Sequence, residues 1–160
     1  MQRYWIGVMT FVWISSLNTA NADWQYTKWQ MTPTEVITAS GGKVVSTDEQ
    51  RSRKGPNKGL LKGNYASGQF QFKVVFYFNE NTNLLSVIQL TLLDPTLGYT
   101  LEQSLVAKYG KPLESFAMSP GRIIRWQDQS NNNRIEVIHI EPRLVTLSYY
   151  PFRTADNKGL

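Results

Sequence analysis

From Phe70 to Phe78 the apolar residues Phe70, Phe72, Val74, Phe76 and Phe78 fall on every second position, alternating with Gln71, Lys73, Val75 and Tyr77. A period of two is that of a strand with one buried face. The polar run Asn79 to Asn83 turns this strand into a second one, about Leu84 to Leu93, so the pair reads as a hairpin. The last third repeats the plan, with a strand over Arg122 to Asp128, an Asn-rich turn at Gln129 to Asn133 and a strand over Arg134 to Glu141. After Pro142, Leu144 to Tyr150 alternates again, and Leu60 to Tyr65 supplies a sixth candidate strand.

Two segments follow helical rules instead. Thr32 as N-cap, Pro33 at the first helical position and Glu35 three residues past the cap form a helix start, with Met31 and Val36 as a hydrophobic staple and Gly41-Gly42 as the stop. This predicts a short helix from Pro33 to Ser40. In the second segment Thr100 reads as the cap, Leu101, Leu105 and Tyr109 recur at helical spacing, and Gly110 with Pro112 ends the run. The prediction is an α+β fold of two short helices on antiparallel sheet. Either two tandem units of one helix and three strands (23–95 and 96–153) or a single sheet with both helices on one face satisfies the element order.

The first 22 residues have a different character: Arg3, an apolar run from Tyr4 to Leu17, then Ala20-Asn21-Ala22. That is the order of a secretory signal with an A-x-A cleavage site. The run is roughly 14 residues, against about 20 for a membrane-spanning helix. The expectation is cleavage after Ala22, a domain over residues 23–153, a frayed tail over 154–160 and a periplasmic or secreted product with no transmembrane segment. The chain lacks cysteine, which excludes a lipid-modified cysteine, disulfides and thiolate chemistry.

Charge is localised. The chain carries a net charge of +5, and the segment Lys43 to Lys62 holds Lys43, Arg51, Arg53, Lys54, Lys58 and Lys62 against Asp48 and Glu49. Its Ser, Gly, Pro and Asn content predicts an exposed loop over Lys43 to Gly59. Such a loop offers Arg51, Arg53, Lys54 and Lys58 to an anionic envelope polymer. No aromatic residue interleaves with these cations, which argues against nucleic acid as the partner.

Signals for catalysis, metal or cofactor are absent or weak. His139 is the single histidine, and it alternates with Ile and Val as a packing residue does. A trio with Ser148 and Asp128 can be drawn, yet no nucleophile elbow accompanies it. One imidazole and no thiol cannot make a nitrogen–sulfur metal site, and the phosphate and dinucleotide loop signatures are missing.

The segments Trp24-Gln25-Tyr26-Thr27-Lys28-Trp29-Gln30-Met31-Thr32-Pro33 and Lys108-Tyr109-Gly110-Lys111-Pro112 resemble a group of uncharacterised exported bacterial proteins with a Trp-Gly-Met-Thr-Pro start and a Tyr-Gly-x-Pro helix end. The departure is Gln30, where the resemblance implies Gly. The element order is similar to the beta-lactamase-inhibitor-like fold, which implies protein binding through sheet or loop surfaces. The leading expectation is a non-enzymatic envelope binding module of unknown partner, another envelope protein or an anionic envelope polymer, with Tyr77, Trp126 and Tyr149 as contact anchors or, alternatively, as core residues. A binder of anionic polymer through the basic loop is second, and an enzyme of unrecognised type third.

Overall fold

A computed structural model describes residues 23–47 and 52–152. The expected signal over residues 1–22 and the expected tail over 154–160 lie outside the described residues, as does Arg51.

The first helix, α1 (Pro33–Ala39), forms as its caps dictate. Thr32 accepts from the Glu35 backbone while the Glu35 carboxylate accepts from the Thr32 N–H at 2.7 Å, and Val36 is fully buried. The second, α2 (Gly98–Tyr109), begins two residues before the Thr100 cap read from sequence. Its entry is made upstream, where Asp94 Oδ1 accepts from the Thr96 N–H at 3.0 Å and caps a single 3-10 turn, Pro95–Leu97. Asp94 and Pro95 thus supply the stop-and-start grammar, and Thr100 only accepts from Ser104 Oγ inside the helix.

The strands are β1 (Val44–Ser46), β2 (Arg53–Lys54), β3 (Asn57–Ser67), β4 (Phe70–Asn79), β5 (Leu85–Leu92), β6 (Glu114–Met118), β7 (Gly121–Asp128), β8 (Asn133–Ile140) and β9 (Leu144–Pro151). They make one antiparallel sheet in the order β1-β3-β4-β5-β9-β8-β7-β6, with β2 beside β3. The single-sheet arrangement is the one present. One sheet runs through the molecule, and each half is a helix followed by a meander, joined where β5 meets β9. Four strands of each half lie on the main path of the sheet rather than three, because β1 and β6 add an edge to each half, and β2 is a further short strand beside β3.

Register decides which residues share a face. Phe76 opposes Ile88, Ile88 opposes Tyr149, Tyr149 opposes Ile135 and Ile135 opposes Trp126. This line of apolar pairs crosses the sheet on one face, where a single buried cluster also takes in Trp24, Val36, Leu101 and Leu105. Both helices cover that face.

The segment 43–59 is not a loop throughout. β1 and β2 both pair with the edge of β3, and the Gly59 N–H donates to Ser52 O at 2.8 Å. A bulge between Gly59 and Leu61 bends the start of β3. A Cβ on Gly59 would lie 2.9 Å from Val75 and 3.1 Å from Ser52, so only glycine allows the β2–β3 tip to fold this closely onto the sheet. Ser52 Oγ and the Tyr77 hydroxyl then meet at 2.7 Å, and Tyr77 is buried on the face away from the helices.

Candidate ligand-binding cleft at the strand ends

The start of β3, the end of β4, the start of β5 and the end of β9 come together at one end of the sheet, around a cleft of about 830 Å³. Volumes of roughly 300–1,000 Å³ are usual for small-ligand sites. Chain segments far apart in sequence build it. The stretch before α1 is pinned to β5 by Gln30 N–H to Leu85 O at 3.2 Å and Leu85 N–H to Met31 O at 2.8 Å. Trp29 donates its indole N–H to Asn133 Oδ1 at 2.9 Å, which fixes the ring at the rim. The tip of β2–β3 is held by Glu80 N–H to Pro56 O at 3.0 Å, and the end of β9 by Phe152 N–H to Asn132 O at 2.8 Å.

The lining combines rings (Trp29, Tyr150, Phe152), amides (Gln30, Asn57, Asn79, Asn132) and one charged residue, Arg134. Two of the amide residues have left-handed backbones, Gln30 at φ +71° and Asn132 at φ +52°. Asparagine tolerates that region, but for glutamine it costs about 1–2 kcal/mol. Gln30 thus keeps the backbone of the glycine implied by the resemblance while setting a side chain at the cleft. Asn57 donates Nδ2–H to Lys54 O at 3.0 Å, whereas its Oδ1 is buried with no hydrogen-bond partner.

Beside the cleft, the open face of the sheet carries a charged network. The Arg134 guanidinium lies 4.5 Å from the centre of the Tyr150 ring, and Lys54 Nζ lies 5.3 Å from it while donating to Ser148 Oγ at 2.8 Å. Burial lowers the Lys54 pKa, with Glu136 opposing and Arg134 adding to the shift. Burial also raises the Tyr150 phenol, helped by Glu136, whose Oε1 accepts from its hydroxyl at 3.2 Å. Arg125 bridges Glu136 at 2.9 Å and Glu114 at 3.0 Å.

The residues singled out in the sequence are placed as follows. Arg53 pairs with Glu80, Lys54 is turned onto Ser148 and Tyr150, and Lys58 lines a small depression with Phe78 and Asn83. The described loop cations therefore point to different partners and do not form one basic patch. Tyr77, Trp126 and Tyr149 are 5%, 1% and 7% exposed, so they pack in the interior, and none stands on the surface as an anchor. The trio of Ser148, His139 and Asp128 does not assemble. Glu136 opposes Ser148 while His139 opposes Val145, and these alternate positions put Ser148 and His139 on opposite faces. His139 Nδ1 meets Glu102 Oε1 at 2.6 Å instead.

Sequence reasoning missed Gln30, Asn57, Asn132, Arg134 and Tyr150 as a group. Only the departure at position 30 pointed toward them. Among the described residues no cluster of three or more metal-ligating side chains occurs. No protein family, curated protein or solved structure matches the chain.

Proposed function

We propose that the chain is an exported, non-enzymatic binding module that holds its ligand in the cleft at the strand ends. The carrying observation is the cleft lining itself, where amides, rings and a lone cation converge. Export rests on the leader-like first 22 residues, and among the described residues no helix is long and apolar enough to cross a membrane.

Gln30→Gly separates a binding role from a structural one. Relief of the left-handed backbone, less the extra freedom of glycine in the unfolded chain, is expected to raise stability by about 0.5–1 kcal/mol in urea unfolding. The same variant is expected to weaken the response of amide resonances at the cleft to solubilised envelope fractions. Unchanged binding in the stabilised variant would remove Gln30 from the site. Resonance changes confined to Arg53 and Lys58 would instead favour the basic-segment reading.

A second reading, contact with another envelope protein, is favoured by one feature of β6. This edge strand is exposed along its whole length, with Phe116 at 47% and Met118 at 38% exposure. An extended segment of a partner protein could add to it as a tenth strand, since an open edge offers unpaired backbone groups.

A further inference from the structure

Resting on the cleft reading above, we propose that the ligand is a saccharide chain carrying a carboxylate, of the uronic-acid type. Charge narrows the ligand first. Arg134 is the one ionised residue in the lining, and no acid stands there to repel a carboxylate. Its guanidinium rests on the Tyr150 ring, and among the described residues it makes no ion pair. A planar fork held on a ring suits a planar carboxylate in a two-bond contact. A densely sulfated or phosphorylated polymer demands several cations at one place, whereas Lys54, which shares the Tyr150 ring with Arg134, is not in the cleft lining and has Glu136 beside it.

The uncharged groups narrow it further. The Gln30 and Asn132 side chains line the cleft and make no hydrogen bond among the described residues. Each such amide offers a donor and an acceptor together, which matches hydroxyl groups that both give and receive. Trp29 and Phe152 are partly exposed and present rings to the C–H face of a pyranose. A peptide is the less suited occupant. The cleft lies across strand ends and offers no free strand edge for the backbone ladder that peptide recognition commonly uses.

The test is titration of the purified protein, followed by calorimetry and by backbone and side-chain amide spectra, with four probes. These are an unsulfated tetrasaccharide of alternating glucuronate and N-acetylglucosamine, its methyl ester, a neutral N-acetylglucosamine tetrasaccharide and an acidic tetrapeptide. The expected result is that the glucuronate probe shifts the Trp29 indole and the Asn57 and Asn132 side-chain amides. Esterification or Arg134→Gln is expected to weaken binding about tenfold or more, since a charge-assisted bond contributes about 1.5–3 kcal/mol. Arg134→Lys, which keeps the charge and loses the fork, is expected to fall between. Arg134 is exposed, so unchanged thermal unfolding certifies that these variants fold.

Equal binding of acid and ester overturns the carboxylate assignment. If the tetrapeptide alone shifts the cleft residues, the saccharide class is wrong while the cleft remains the binding site. If none of the four moves a cleft residue, the saccharide inference is overturned. If, in addition, the envelope fractions leave those residues unmoved, the binding-module reading falls as well.

Discussion

Glu102→Ala is expected to destabilise the protein by about 3 kcal/mol, one of the largest effects of any single polar substitution in it. Glu102 sits on the inner side of α2 and is 7% exposed. Its carboxylate accepts from Arg122 Nε at 3.0 Å and Nη2 at 2.7 Å and meets His139 Nδ1 at 2.6 Å. The Arg122 guanidinium lies 4.5 Å from the centre of the Tyr99 ring, whose hydroxyl donates to Glu141. Removing the carboxylate leaves an Arg and a buried imidazole with no common acceptor and opens a void under the helix. Loss of one partner of a buried pair costs about 3–5 kcal/mol, and we take the lower end because the Arg122 side chain is 30% exposed and can turn to water. Glu102→Gln keeps the volume and one acceptor and should cost roughly half as much.

The first turn of the helix is packed closely on the sheet beside this cluster. A Cβ on Gly98 would stand 2.6 Å from the His139 ring and 2.9 Å from Val145, so the first turn of α2 already touches the sheet. Urea unfolding gives the magnitude, and a Glu102→Ala cost under about 1 kcal/mol would mean that the cluster does not hold α2 in place. The cluster joins the His139 end of β8, whereas Arg134 lies five residues away near the opposite end, roughly 17 Å at strand rise. Cleft binding at saturating protein stability should therefore be unaffected.

Where the sequence was informative, one local rule sufficed. The Thr32–Glu35 capping box and the alternation from Phe70 to Phe78 each depend on residues a few positions apart, and both are present as read. β1 and β6 escaped because three residues carry no period, and because Glu114 to Met118 is exposed on both sides and shows no buried alternation. The segment 43–59 misled for a related reason. Its Ser, Gly and Pro content does describe turns, but pairing with β3 and the close approach at Gly59 are long-range facts that composition does not carry. The cleft was the least legible part. Gln30, Asn57, Asn132 and Arg134 are ordinary polar residues in sequence, and only the pairing of β3, β4, β5, β9 and β8, with the segment before α1 pinned to β5, brings them to one end. The buried cluster is similar, since Glu102, Arg122 and His139 belong to three separate elements.

Trp126→Ala is expected to cost about 3–5 kcal/mol, and it tests the same residue in its two roles as contact anchor and as core. The side chain is 1% exposed on β7, opposite the fully buried Ile135, and its indole N–H donates to Gly110 O at 3.0 Å, just past the end of α2. It therefore fills the space between helix and sheet while tying down the helix end. Trp126→Phe isolates the second contribution. It keeps most of the ring and loses the bond to a carbonyl on an exposed residue, which water can replace, so about 1 kcal/mol is expected beyond the small volume change. A surface anchor would behave in the opposite way, with stability changed by less than about 0.5 kcal/mol and partner binding lost. Urea unfolding of the two variants with equal m-values separates these outcomes, and a near-neutral Trp126→Ala would place the ring outside the core on which both helices rest.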